Sequence, residues 1–512
     1  MRALLVTSVG VTCAAALTLP LATPAASAPA PHSASALPPS TSPASPGAGP
    51  PSVQAEATTA EATTREALAP SDVRSAAEPS GSTQSLPLAP LDAPSNRVAG
   101  APAAQGLPQR DARPFSLVGV VWDDAEAELH GTVQVRTRAT GTTRWSDWQD
   151  VETHNAEHAA DLGSAEREGR TVRGATAPLW VGDSDGVEVR VRPEARDPQD
   201  RAATPVPLPE GMRLELVDPG EGPGEDAGGD PGEASAPEPA RGAPAGRAAA
   251  VPARFADTLP TAAALPEVLT AEVAAASAVN AELAEIGATV IPALTQAETL
   301  ESMELAPGAK PYIGPRPGIV TRKGWGADEK LREKNFAYTK TVKAAFVHHS
   351  ATGNNYTCKQ APSVLRSIYR YHVKSSGWRD FGYNFAVDKC GNIYEGRAGG
   401  VTKAVLGAHT LGFNTNTMGI AVLGSYGSTN PPAAAVTAVS KLTAWKLGLF
   451  GRNPKGKITL VSGGSNKYKA GVKVKMNVIS GHRDGFATEC PGARLYKKLG
   501  KARTSSAKLQ GR

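Results

Sequence analysis

The chain has 512 residues, 43 of them proline and 52 glycine, with aromatic residues at 5% and a formal net charge of +5. The length exceeds one ordinary domain, and the Pro and Gly are concentrated in stretches that cannot all be packed core. The small charge is neutral on nucleic acid, and no Lys/Arg-rich run with interleaved aromatics appears, so no nucleic-acid partner is expected.

Arg2 precedes an apolar run from Ala3 to about Leu21, and Ala26-Ser27-Ala28 offers small residues for cleavage, so residues 1–28 are expected to be a secretory signal peptide. No other stretch is long and apolar enough to span a bilayer. The expectation is an exported, monomeric protein with no membrane segment after cleavage, extracellular or associated with a cell wall. Cys13 would leave with the leader. Cys358, Cys390 and Cys490 remain, an odd count for an oxidising compartment. If Cys490 ligates a metal, Cys358 and Cys390 are left as the disulfide.

Residues 29–112 are rich in Ala, Pro and Ser and read as a disordered tether. From Pro114 the pattern changes. Thr132–Arg138 alternates, with Val133 and Val135 on one face and Gln134 and Arg136 on the other, and Val187–Val191 and Met212–Leu216 repeat the pattern. Period-two runs between Gly, Pro and Asp turns predict an antiparallel β-sandwich accessory domain at 113–218. Trp122, Trp145, Trp148 and Trp180 are its large side chains, read as core in preference to sugar-stacking surface. His130, His154 and His158 show no ligand spacing and are assigned no role.

A second linker is expected at 219–264. At 265–291, Leu269, Val273, Ala276, Val279, Leu283 and Ile286 recur at helical spacing, predicting one amphipathic helix docked on a neighbour. Beyond it, Ala344–His349 reads as a buried strand, Ser363–Val373 as a helix, and Phe385–Val387 with Ile393–Glu395 as a hairpin turned by Cys390-Gly391-Asn392. Met418–Leu423 is a further strand, and a helix runs from Asn430 to about Leu449. Strands alternating with helices predict an α/β domain at 311–505, with a mixed central sheet flanked by helices.

The chemistry concentrates in Gly481–Gly492, where His482 and Cys490 stand eight positions apart between glycines, with Thr488 two residues before the Cys. Such a loop is half a metal site. A third ligand could come from the end of the Phe346-Val347-His348-His349 run, where only one of the two histidines can face a given side. His348, His482 and Cys490 make an N,N,S set suited to one Zn²⁺ with a fourth position for water, whose pKa the metal would lower to roughly 7. Amide hydrolysis there also needs a hydrogen-bond donor and a proton source, for which Tyr383 and Thr488 are candidates. A structural zinc site and a Cys490–His482 nucleophilic pair are the alternatives.

Phe346-Val347-His348-His349-Ser350, Gly382-Tyr383-Asn384-Phe385, Tyr394-Glu395-Gly396-Arg397, Gly407-Ala408-His409 and Gly481-His482-Arg483-Asp484 with Thr488-Glu489-Cys490-Pro491-Gly492 resemble the peptidoglycan recognition protein / type 2 N-acetylmuramoyl-L-alanine amidase family. Gly324-Trp325-Gly326-Ala327 resembles its opening motif. The resemblance spans about 315–500. It implies a zinc amidase that cuts the lactyl–L-Ala bond of peptidoglycan, with zinc on His348, His482 and Cys490 and with Tyr383 and Thr488 at the catalytic positions. Peptidoglycan and muropeptides are the implied partners, and His349, Arg397 and His409 the implied substrate-groove residues. Members lacking the Cys ligand bind wall fragments without cutting, which makes a non-catalytic recognition protein the alternative. Cys358 lies near where many members carry a disulfide, although their close Cys spacing is absent. Ala398-Gly399 stands where many animal members have Gly-Trp, so a stem-peptide preference does not carry over.

Overall fold

The computed structural model describes residues 81–91, 104–194 except 154 and 165, 206–223, 269–303 and 311–512. The expected leader, most of the expected tether and linker, and His154 lie outside these residues.

The N-terminal region contains β1 (Ser82–Pro87), β2 (Ala89–Pro90), β3 (Gln105–Trp122), β4 (Gly131–Ala139), β5 (Gln149–Val151), β6 (Gly174–Ala175), β7 (Leu179–Pro193) and β8 (Arg213–Asp218). Hydrogen bonds join all eight into one antiparallel sheet in the order β1-β8-β3-β7-β4-β5, with β2 and β6 attached to β3. Two expectations change. The domain begins inside the stretch read as tether: β1 pairs along its whole length with β8, from Ser82↔Asp218 to Pro87↔Arg213. Its polar sequence hides it because it is an edge strand whose partner lies far along the chain. The strands expected in a β-sandwich are joined in one continuous hydrogen-bonded ladder, because β3 and β7 are long and β3 shifts register at three places along β7. Bulges of this kind bend a strand without ending its ladder, and alternation alone cannot report them.

One face of this sheet carries its own core, built from Phe115, Val118, Val120, Trp122, Val133, Val135, Val189 and Leu216. Along β3 and β8 the opposite face is covered too. Leu117, Val121, Trp180 and Val217 pack into a second core with Val364, Leu365, Ile368 and Tyr371 of the C-terminal domain. Residues 115–122 of β3 are therefore buried on both faces, and at about 1.5–3 kcal/mol per buried apolar side chain this shared core is strongly stabilising. Gly119 allows the contact, because a Cβ there would run into the Tyr371 ring, whose hydroxyl donates to the Thr176 carbonyl at 3.1 Å. Trp122 and Trp180 are buried. Trp145 and Trp148 are half-buried under the Arg136 guanidinium, 5.6 and 5.1 Å from the two rings.

The segment expected as one helix is mostly not helical. α1 covers only Ala271–Ala278, capped by Thr270 accepting from Val273 N, and the chain then turns to β9 (Val290–Ile291) and α2 (Gln296–Glu301). Asn280 explains the break. Its side chain is buried, donates to Glu395 Oε1 at 2.9 Å and accepts from Val401 N at 2.9 Å. That polar anchor stands on the face the helical pattern assigned to apolar packing.

The remaining elements are β10 (Ile319–Val320), β11 (Ala344–His349), α3 (Ala361–Arg370, continued by a π-helical turn Tyr371–Ser375), β12 (Phe385–Val387), β13 (Ile393–Glu395), β14 (Thr417–Val422), α4 (Ala433–Leu449), β15 (Lys457–Val461), β16 (Lys473–Asn477), β17 (Ile479–Gly481), α5 (Ala493–Tyr496) and α6 (Leu499–Leu509). β17-β11-β14-β12-β13-β10-β9 form a seven-stranded mixed sheet, parallel from β17 to β12 and antiparallel at the β12–β13 hairpin. β15 and β16 form a separate hairpin, and neither it nor the full length of α6 was read from the sequence. α4 covers one face through Ala345, Val347, Ile420 and Val422. α3 covers the other face over Ala386, Tyr394 and Ala421, while Phe346 packs toward the β15–β16 hairpin. Cys358, just before α3, is disulfide-bonded to Cys390 in the β12–β13 turn, with Cα atoms 6.2 Å apart. Among the described residues no helix is long and apolar enough to cross a membrane.

Candidate metal centre

Two parallel strands create the centre. β11 and β17 pair with Val347 opposite Gly481, so the residues that follow, His348 and His482, stand side by side with ring centroids 4.6 Å apart. Strand alternation puts Phe346 and His348 on the face away from α4. Cys490 returns to this point on the glycine-flanked loop, where Arg483 N donates to the Cys490 carbonyl at 3.1 Å and Cys490 N donates to Thr488 Oγ1 at 3.1 Å. Its Sγ lies 3.7 Å from His348 Nδ1.

A fourth donor completes the group. His158, assigned no role from the sequence, sits on a short 3₁₀ turn (Ala156–His158) in the loop joining β5 to β6. Its Nε2 lies 3.2 Å from His482 Nδ1, and the ligand atoms of His158, His348, His482 and Cys490 all lie within 4.8 Å of one another. Local spacing could not have found it, since its partners lie on another domain. The one sign was a Glu-His pair in a non-periodic stretch.

The donors fit zinc. Tetrahedral coordination at about 2.0–2.1 Å to nitrogen and 2.3 Å to sulfur puts ligand atoms roughly 3.3–3.8 Å apart, close to the two short separations here. Burial drives the His158 imidazole down to about 3, with His349 adding to the shift. Burial and then neighbouring imidazoles hold His348 and His482 well below the ordinary value. All three rings are thus neutral and able to ligate. Burial pushes the Cys490 thiol up, so a metal binding here displaces its proton.

Tyr383 lies beside the cluster, its ring 5.2 Å from that of His348. Burial, then the nearby Cys490, raises its phenol well above the ordinary value, so it remains a donor. The Thr488 hydroxyl donates to Glu157 Oε1 at 2.7 Å. Thr410, not singled out from the sequence, has its Oγ1 3.4 Å from His348 Nε2 and 3.0 Å from His409 Nδ1.

The three residues expected in a substrate groove are all covered. His409 is buried behind His348, in space left by Gly419. Arg397 donates to the Phe381 and Leu406 carbonyls and to Glu166 Oε1 at 2.7 Å. His349 Nε2 lies 3.6 Å from Glu152 Oε1. Glu152, Glu157 and Glu166 all belong to the same loop as His158 or to its first residue.

Two family models match. "Rv3811 N-terminal galactose-binding domain-like" covers residues 61–208 and "N-acetylmuramoyl-L-alanine amidase" covers 338–493. The chain is 30% identical over 183 residues to peptidoglycan-recognition protein SC2 of Drosophila melanogaster, spanning 35% of this chain and 84% of that protein. It is 29% identical over 187 residues to the human N-acetylmuramoyl-L-alanine amidase, spanning 36% of this chain and 28% of that one. Among solved structures, Drosophila PGRP-LB matches at 26% identity and a TM-score of 0.29, over 35% of this chain and 91% of that one.

Proposed function

Since the chain belongs to the peptidoglycan-recognition protein and N-acetylmuramoyl-L-alanine amidase family, we propose that it is a secreted zinc-dependent amidase that hydrolyses the lactyl–L-Ala bond of peptidoglycan. The observation that carries this reading is the His348, His482, Cys490 cluster with a protonated Tyr383 against it. His348, His482 and Cys490 hold the metal. When bound, zinc supplies Lewis-acid chemistry, polarising the amide carbonyl and making water a nucleophile near neutral pH. Tyr383 donates its phenolic hydrogen to the amide oxygen as negative charge grows there. Thr488 would supply a hydroxyl from the Cys490 loop as the proton partner of the leaving nitrogen. Arg397 and His349, which the loop touches through Glu166 and Glu152, line the substrate groove, with His409 behind His348. Cys490 separates this reading from a recognition protein that binds without cutting.

The test incubates zinc-loaded full-length protein and its His158→Ala variant with purified peptidoglycan and soluble muropeptides. New L-Ala amino termini are expected, lost on chelation and restored by zinc. No release by either protein from any wall type overturns the reading.

A further inference from the structure

We propose that His158 is a fourth metal ligand, supplied by the N-terminal domain of the same chain, and that its loop closes the metal centre against substrate until it is lifted. The inference rests on the amidase reading for the identity of that substrate.

A zinc site that turns over substrate keeps one position open, whereas four protein ligands make a closed site. Here three donors come from the C-terminal domain, and the fourth sits 3.2 Å from one of them on a loop of the other domain. The closure is complete: His158 is 4% exposed and His348, His482 and Cys490 are each 0% exposed. A polymer strand cannot reach donors in that state.

The loop is also built to stay down. Glu157 accepts from Thr488 at 2.7 Å. Asp161 accepts from Gly412 N at 2.7 Å and from Asn414 at 2.8 Å. Glu166 and Arg397 make an ion pair in which both side chains are 5% exposed. These contacts occupy polar groups of the C-terminal domain beside the metal centre, groups that the proposed substrate would otherwise meet.

Lifting the loop does not require undocking the domain. The sheet is held to α3 by the separate apolar core around Leu117, Val121 and Tyr371, whereas the described residues of 152–173 contain no regular element beyond the 3₁₀ turn. The latch and the dock are distinct contacts, and the former is polar.

The experiment uses the full-length protein, the His158→Ala variant, and an Asp161→Ala/Glu166→Ala variant that keeps His158 but loosens its loop by removing the contacts to Gly412, Asn414 and Arg397. Each is loaded with Co²⁺ for visible spectroscopy and titrated with acetohydroxamate and with a soluble MurNAc-tripeptide. The wild-type spectrum is expected to ignore both additives. The His158→Ala spectrum is expected to differ before any addition and to shift with acetohydroxamate. Its metal should bind at least about tenfold more weakly, the scale set by losing even an outer-shell partner. Both variants should bind the muropeptide at least tenfold more tightly than the wild type. A His158→Ala spectrum identical to the wild type, or equal muropeptide affinity in all three proteins, overturns the proposal. The amidase reading is judged by turnover of the zinc forms: none in any of the three sinks that reading, while spectra and affinities still decide the latch.

Discussion

The strand-borne donors and the loop-borne donor meet at one point but are held differently. His348 and His482 end parallel strands whose ladder aligns Val347 with Gly481, so their positions follow from backbone hydrogen bonds inside a buried sheet. His158 sits in a 22-residue connection, residues 152–173 between β5 and β6, anchored by side-chain contacts to a neighbouring domain. Rigid elements position a site, and low-stability segments gate it. On the proposed reading the strand-borne donors are the machinery and the loop is its cover.

Four substitutions sharpen or break that contrast. The largest effect belongs to Cys490→Ala, which removes the thiolate ligand. Metal retention through dialysis should be lost and amide turnover should fall by at least about 10³-fold, as expected where the metal generates the nucleophile; a variant that keeps both breaks the assignment. Next is Glu329→Gln in the rigid half. Glu329 is 2% exposed on its side chain and lies 2.6 Å from Arg322 and 2.5 Å from Arg332. Breaking a buried pair costs about 3–5 kcal/mol, which denaturant unfolding should report.

Glu395→Gln tests the same half through pH. Burial raises the Glu395 carboxyl from 4.5 to about 7 despite the Asn280 hydrogen bond. Between those values the folded state keeps a proton that the unfolded state releases, so stability falls as pH rises and the penalty is complete above about pH 7. At 1.36 kcal/mol per unit the loss is about 3 kcal/mol. The variant should unfold with that slope removed, and an unchanged slope between pH 5 and 8 refutes it. Smallest globally is Glu166→Gln in the loop. It too breaks a buried ion pair, yet the expected change is faster hydrogen exchange confined to residues 152–173, with thermal unfolding shifted by less than about 2 °C. A global loss like that of Glu329→Gln would show that the loop belongs to the rigid half.

Local sequence patterns carry most of the C-terminal domain. Short buried strands, the β12–β13 hairpin and α4 are local patterns, and the His482, Thr488, Cys490 spacing is a local motif. His348 followed because its strand is a contiguous apolar run. The antiparallel strands of the N-terminal domain were legible for the same reason, since Val133 and Val135 alternate with Gln134 and Arg136. The remaining features emerge only in the folded chain. β1 is recognised only by its partner β8, and α1 ends early because Asn280 finds Glu395. Leu117 and Val121 face another domain rather than solvent. His158 meets His348, His482 and Cys490 across a domain boundary. Each depends on contacts between distant residues, and periodicity and spacing record only neighbours along the chain.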